Sequence, residues 1–523
     1  MLLLFPPAVR VSEPPIGIAR VAAFLRERGI DARCLDLNLA CCLELLSSQP
    51  DPARPVHGGP EAIAYARRDR DLAALRDPAT YRKREAYVRA VAGLSSSLKA
   101  ASAPHGIAGL ADYRDAELSP LRSADLERAF AEYGRIPYFP AMRRAIDEAL
   151  RSRRTRAVGV SIVYLSQALA AMSIAGYIRS AYPETRLFAG GGLITSWGAL
   201  GHVARAPAFA RAFDGVFPGP GESRGLEAFA ASLADGSPRT ASASRARPSA
   251  MFATPRFDDF DLDAYLSPGR VLPYNFSLGC PWRRCVFCPE RYEGAQYRCV
   301  ARATGVAQAR ELAERHEPAL FHFTDSEVSQ AHLSALAESP PGAPWYGFAR
   351  FSTRLEDPSF CRALAASGCA MLQLGLESGD DDVLAAMGKG ITVAAASRIL
   401  ANVRDAGIET YVYIMFGTPR EGRDAAMRTR DFVAQRSGSI GFLNVSIYNM
   451  PSRGEDAANY PAGPSYDADL SLYAELDHPA GWNRPEIRRF LSREFSREPS
   501  IRNVLARTPP VFTSNHAPFF ARG

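Results

Sequence analysis

Apolar residues along this chain fall into short continuous runs, each followed by a longer stretch whose apolar positions repeat at helical spacing. Met1–Phe5 reads as a buried strand and Pro6–Pro15 as a loop. Ile16–Gly29 places Ile18, Val21, Ala22 and Leu25 on one helical face and stops at a glycine, and Ile30–Leu37 reads as a second strand. Strand, helix, strand is one βαβ unit. About residues 39–156 break the pattern: they are polar and mostly helical, with Pro and Gly breaks near Gln49–Gly59 and Ala103–Gly109, and read as an insertion, a candidate cap over the site. The alternation resumes with strand Ala157–Val163, helix Ser166–Tyr182, strand Arg186–Ala189, the triplet Gly190–Gly192, helix Thr195–Ala206, strand Asp214–Phe217 and a helix from about Glu222. Five strands alternating with helices predict an open, doubly wound parallel sheet over residues 1–235, with ligands beyond the carboxyl ends of its strands.

Residues 236–256, rich in Ser, Ala, Pro and Arg without apolar period, read as a linker. From there the strand–helix alternation returns. Strands are predicted at Val271–Leu278, Ala319–Thr324, Trp345–Phe351, Ala370–Glu377, Glu409–Phe416 and Phe442–Tyr448. Helices are predicted at Thr304–His316, from about Gln330, and at Pro358–Gly368, Val393–Gly407 and Arg423–Arg436. Six such repeats over residues 257–460 predict a partial (β/α)6 barrel with reactive groups at the strand carboxyl ends. Residues 461–523 form a C-terminal extension with a helical stretch at Pro485–Leu505. The fold class is α/β throughout.

Composition narrows the partners. At 523 residues and 47% hydrophobic content the chain supports two or three cores. The net charge of +6 is spread out, and its local run at Arg151–Arg156 reads as a solvated face, so no nucleic-acid partner is expected. No apolar run reaches the ~18 residues of a membrane span. Nine cysteines without a secretory leader point to a reducing cytoplasm.

The densest chemistry lies in Asn275–Glu290, NFSLGCPWRRCVFCPE, which puts Cys280, Cys285 and Cys288 in one short loop after an apolar run. Soft thiolates this close select an iron–sulfur cluster, zinc or Cu(I). Three cysteines hold three irons of a 4Fe–4S cluster and leave one iron open. Cys299 is the nearest further cysteine, on an element of unknown direction. A zinc knot is the competing reading, although structural zinc wants four ligands in paired spacing.

This loop resembles the signature of the radical S-adenosylmethionine (SAM) enzymes, C-x3-C-x2-C with an aromatic before the last cysteine, here Phe287. It departs in its first gap, which has four residues, Pro281–Arg284. The N-terminal segment resembles the cobalamin-binding domain that precedes many radical SAM domains, through PPIGIARVAAFLRERG with the following DLN, VGVSIVYLSQALAA, GGGLITS and DGVFPGPGES. That resemblance implies cobalamin, its nucleotide tail lined by Ser161 and Gly190, Gly191 and Gly192. No D-x-H-x-x-G is present, so no histidine is offered below the cobalt. A related sheet that binds nothing is the alternative.

The same family likeness assigns SAM contacts at the predicted strand ends. FTDSE offers its acidic and hydroxyl groups, Asp325 among them, to the amino group of SAM or to substrate, or Asp325 or Ser326 as a helix cap. GFARFSTRL offers Arg350 and Arg354 to a carboxylate, or as a surface pair. LGLESGDDDVLAAMGKGIT offers Glu377 as a polar contact to SAM, with Ser378 in the turn. IMFGTPREG brings Met415, Phe416 and Gly417 toward adenine, or packs them as core. His516 in the tail is a catalytic or a structural histidine.

The chemistry implied by the resemblance is reductive cleavage of SAM to a 5′-deoxyadenosyl radical, then methyl transfer to an unactivated carbon or phosphorus of a small metabolite or natural-product peptide. The cofactors are a 4Fe–4S cluster, SAM and cobalamin, with an electron donor such as flavodoxin or ferredoxin. Cyclisation or rearrangement without methyl transfer, and a non-catalytic iron–sulfur or cobalamin sensor, remain as other readings.

Overall fold

The computed structural model describes residues 1–48, 59–153, 155–223, 225–227, 252–294, 296–463, 468–511 and 516–520. They form two units: Met1–Arg270 with Asp467–Ser471, and Val271–Tyr466 with Leu472–Gly523. Among the described residues no helix is long and apolar enough to cross a membrane.

The first unit is built on a five-stranded parallel sheet in the order Arg33–Asp36, Leu2–Phe5, Ala157–Ser161, Arg186–Gly190, Gly215–Val216. The order reverses between Leu2–Phe5 and Ala157–Ser161, which leaves a crevice beyond the strand ends, where such sheets take ligands. Helix Ile16–Arg26 packs its Ile18, Ala22 and Leu25 face inward. The expected helix Thr195–Ala206 begins earlier and is broken: it runs Gly192–Ala199, then His202–Arg205, because Gly201 takes a left-handed φ of 75°. Residues 39–156 are largely helical, with two long helices at Gly59–Arg76 and Arg84–Ser102 and a small hairpin joining Gly106–Ala108 to Tyr113–Asp115. The helix expected from about Glu222 and the linker at 236–256 lie mostly outside the described residues.

The predicted boundary at residue 257 moves to 271, for a polar reason. The Tyr265 hydroxyl donates to Asp36 at 2.7 Å, and Asp259 accepts from the Cys34 amide at 2.9 Å and pairs with Arg26. These bonds tie the segment to the first sheet. Asp467–Ser471 also joins that unit, since the Trp197 indole donates to the Leu470 carbonyl at 2.9 Å.

The second unit carries six parallel strands in chain order: Val271–Tyr274, Leu320–Phe323, Trp345–Ala349, Cys369–Glu377, Glu409–Phe416 and Phe442–Ile447. Helices Arg302–His316, Gln330–Glu338, Pro358–Ala366, Val393–Asp405 and Arg423–Arg436 connect them. Local chemistry sets their ends: Ser329 caps Gln330–Glu338, Asp357 caps Pro358–Ala366, and Thr392 caps Val393–Asp405. Val271, Leu320, Tyr346, Met371, Tyr411 and Phe442, one from each strand, make a single buried layer with Ala517, as in a barrel interior. His516 stacks on Tyr411 there, 1% exposed, with Nε2 2.7 Å from the Val511 carbonyl. It is a core side chain.

Candidate radical site at the carboxyl ends of the second sheet

The cysteine loop leaves the first strand of this sheet through a pinned turn. Asp325, 2% exposed, accepts from the Phe276 amide at 3.0 Å and from the Ser277 hydroxyl at 2.5 Å. Its carboxylate therefore anchors the loop entry; the helix cap expected of Asp325 or Ser326 is supplied by Ser329 instead. The Ser326 hydroxyl donates to Glu290 at 2.9 Å, a second tie from the same strand end to the loop. On the far side, the Val286 amide donates to the Met387 carbonyl, and Phe287 packs on the cluster of Val383, Met387 and Ala425, as does Met415. The aromatic before the last cysteine is thus the plug that seats the loop on the sheet.

Cys280, Cys285 and Cys288 line one open pocket of about 310 Å³ with Arg283, Glu290 and Arg291. Burial pushes the Cys288 thiol up to about 12, helped by Glu290, and raises Cys280, helped by Glu327. Ligation of metal must therefore displace protons from these thiols. Among the described residues no three His, Cys, Asp or Glu side chains converge on a single ion. Structural zinc needs four ligands converging on one tetrahedral centre, whereas a cuboidal cluster takes each thiolate on a different iron. Three thiols spread around a pocket fit the cluster. Arg298–Cys299 runs back antiparallel to Ser277–Leu278, with Cys299 opposite Ser277, but Cys299 is exposed and does not line the pocket.

The strand ends beside the loop carry charge. Arg350 sets Nη1 3.9 Å from Cys285 Sγ and Nε 3.7 Å from Glu327 Oε2, and Glu327 in turn lies 3.7 Å from Cys280 Sγ. Burial raises the Glu327 carboxyl, and Arg350 opposes that shift. Glu377 takes a left-handed φ of 69°, at a register shift in its strand, and meets Lys389 at 2.8 Å. Gly375 makes room for this pair: a Cβ there would sit 2.5 Å from Glu377 Oε1 and 2.8 Å from Lys389 Nζ.

The remaining expected residues sit as follows. Ser378 is fully buried, its hydroxyl shared with Thr429 and the Asp380 amide, so it holds the turn. Phe416 is fully buried against Phe490 and Phe495, on the face opposite Met415. Gly417 takes φ 91° and its amide donates to Glu421. Arg354 is exposed, lies over Phe360 and does not line the cysteine pocket. Of the predicted SAM set, Arg350 contacts the cysteine loop and Met415 packs on the same cluster as Phe287, while Glu377 is bonded to Lys389, whose Nζ lies 5.7 Å from the Phe287 ring.

Lys389 and Trp282 carry no role in the sequence reading, and Glu327 enters it only as one acidic group of FTDSE. For Lys389 a signal existed: it is one of only three lysines among 62 Lys and Arg residues. A chain that uses arginine almost everywhere keeps a compact point charge where space is tight.

In the first unit the expected residues come together. Ser161 and Gly190 are register partners at adjacent strand ends, and Gly192 opens the next helix. Only Gly191 is sterically obligatory: its φ is 106°, and a Cβ would sit 2.4 Å from the Ile162 carbonyl oxygen.

Residues 274–433 match the family model described as the radical SAM superfamily. An uncharacterized protein of Methanopyrus kandleri is 26% identical over 147 residues, covering 27% of this chain and 27% of that protein, so the chain matches about a quarter of the curated relative's length. Among solved structures the chain is similar to the radical S-adenosylmethionine methyltransferase TsrM from Kitasatospora setae, solved with cobalamin and a 4Fe–4S cluster bound, at 18% identity over 86% of this chain and 75% of that one, TM-score 0.49. It is also similar to the cobalamin-dependent S-adenosylmethionine radical enzyme OxsB, at 17% identity over 61% of this chain and 50% of that one, TM-score 0.47. Residues 274–433, which hold the three-cysteine loop and the four middle strands of the six-stranded parallel sheet, thus form a radical SAM domain.

Proposed function

We propose that this chain is a cobalamin-dependent radical SAM methyltransferase acting on an unactivated carbon or phosphorus of a small metabolite or peptide. The observation that carries the reading is the pocket with three thiol donors and, among the described residues, no fourth, set on the carboxyl ends of the radical SAM sheet. In this reading Cys280, Cys285 and Cys288 hold a 4Fe–4S cluster with one iron left for SAM. When bound, the cluster supplies the electron that cleaves the sulfonium C–S bond of SAM, and cobalamin supplies the methyl carrier.

The chain's own residues hold and orient. Asp325 and Phe287 fix the loop from its two sides. Glu377 and Lys389 present a joined carboxylate and ammonium to the amino-acid end of SAM, and Met415 and Gly417 line its adenine side. Ser378 and Phe416 act from behind, as turn and core. For cobalamin, the support is the crevice at the strand-order reversal of the first sheet and the Cβ-free passage at Gly191, with Ser161, Gly190 and Gly192 beside it. A small acidic flavodoxin or ferredoxin in the same compartment, the cytoplasm, would provide electrons.

The test is a product count. Anaerobically reconstituted protein is incubated with SAM, hydroxocobalamin and a reductant, so that the reduced, unmethylated carrier can accept the methyl group of SAM, and nucleosides are quantified. The proposal predicts both 5′-deoxyadenosine and S-adenosylhomocysteine. 5′-Deoxyadenosine alone would favour a radical rearrangement, and the absence of both products would contradict the enzyme assignment.

A further inference from the structure

The four-residue first gap of the cysteine loop builds something specific. Trp282, inside that gap, donates its indole N–H to the Gly388 carbonyl at 2.8 Å. Its ring lies so close to Gly390 that a Cβ there would sit 2.2 Å away. Gly388 is equally crowded, since a Cβ would meet the Arg284 carbonyl oxygen at 2.5 Å. The Gly388–Gly390 turn is thus shaped to receive this loop, and both glycines use left-handed φ, 67° and 69°. Arg283 also takes a left-handed φ, 50°, which lets the longer gap turn tightly between Trp282 and Cys285.

The outer face of Trp282 carries the guanidinium of Arg350, 4.0 Å from the ring centroid. Arg350 also donates to the Lys389 carbonyl at 2.5 Å. Held from both sides, it reaches Cys285 Sγ at 3.9 Å and Glu327 at 3.7 Å, with Glu327 against Cys280 Sγ at 3.7 Å. Both side chains are nearly closed off, at 13% and 7% exposure. Two of the three cysteines therefore each face one member of a buried ion pair, and the member facing each is of opposite sign.

We propose that Trp282 is a positioning residue that holds the Arg350–Glu327 pair against Cys285 and Cys280, and that this pair sets the reduction potential of the cluster these cysteines carry. The inference rests on the cluster reading above. Cluster potentials respond to net charge and to hydrogen bonds at the sulfurs, and groups just beyond the ligands supply both. A reduced cluster is more negative than an oxidised one, so a cation near Cys285 favours reduction and an anion near Cys280 opposes it. A guanidinium stacked on an indole face keeps its charge in place at low solvation. Without the indole, Arg350 swings toward water and Glu327 is left facing Cys280 with its charge uncompensated.

The experiment is a redox titration of reconstituted protein without SAM, following the EPR signal of the reduced cluster, with iron counted on every sample. Arg350→Gln is expected to lower the midpoint and Glu327→Gln to raise it. Trp282→Ala is expected to follow Arg350→Gln in sign, and Trp282→Phe, which keeps a ring, to shift less. Opposite signs from two neutral replacements at one site are not produced by loosened packing. At iron contents equal to wild type, shifts of the same sign in the two charge variants, or an unmoved midpoint in Trp282→Ala, would overturn the proposal and leave the cluster reading standing. If Trp282→Ala fails to fold, Trp282→Phe and the charge variants decide alone. Wild-type protein that takes up no iron would overturn the proposal together with that reading.

Discussion

Lys389 Nζ lies 2.8 Å from Glu377 Oε1, with the two side chains only 8% and 13% exposed. The pair is held at a strand end where Glu377 adopts a backbone conformation that side chains rarely take. The lysine offsets the charge of a carboxylate that the strand geometry forces inward. Lys389→Met is therefore expected to destabilise the second unit by about 3–5 kcal/mol, because it leaves a buried charge uncompensated. Adding Glu377→Gln should recover much of that loss. Urea unfolding of both variants checks this; equal stability of the single and double variants would contradict it.

Gly417→Ala meets two obstacles. Its φ of 91° is a glycine conformation, and the new Cβ would sit 2.5 Å from Ile487 Cδ1. A cost of about 1–3 kcal/mol is expected for the backbone term alone. Trimming Ile487 to Val in the same chain should relieve the clash but not the backbone strain. Thermal melts of the two variants would show a partial recovery of the lost midpoint.

Glu421 is 1% exposed, accepts from the Gly417 amide and from the Trp482 indole, and leaves Oε1 without a partner among the described residues. Burial pushes its carboxyl from 4.5 up to about 8, against the pull of those two donors. The folded state therefore keeps the proton that the unfolded chain gives up. The stabilisation is fully present below pH 4.5 and is lost progressively as pH rises toward about 8. Each tenfold difference in proton affinity is worth about 1.4 kcal/mol. Glu421→Gln, which cannot ionise, should lack this decline, so the stability difference between wild type and variant should drift in favour of the variant from pH 5 to 8. A difference that stays flat over that range would contradict the assignment.

The strands of the second sheet were legible because a parallel strand buried on both faces is a continuous apolar run. Glu409–Phe416 and Arg423–Arg436 match the structure at both ends. The cysteine loop was legible because its spacing is local. What the sequence hid is long-range. Trp282 finds Arg350 across 68 positions, Cys280 finds Glu327 across 47, and the segment before Val271 belongs with the first sheet because Tyr265 reaches Asp36. Alternation alone carries no information about such pairings. It also leaves open which face of a strand end points at the cysteine loop: Met415 and Phe416 are neighbours in sequence, yet one packs on the cluster that also seats Phe287 and the other is sealed against Phe490 and Phe495. Ser378, expected in the turn, holds that turn, while Asp325, offered to a ligand or as a helix cap, has its carboxylate at the loop entry, a pairing across 48 positions.

The most direct test of the account is an iron and sulfide count on anaerobically reconstituted protein, wild type beside the Cys280/Cys285/Cys288 triple alanine variant. About four irons per chain in the wild type, with the visible absorption of an iron–sulfur cluster, and none in the variant, is the predicted result. Iron retained by the triple variant, or a wild type that binds zinc and no iron, would contradict the claim that these three cysteines hold a cluster.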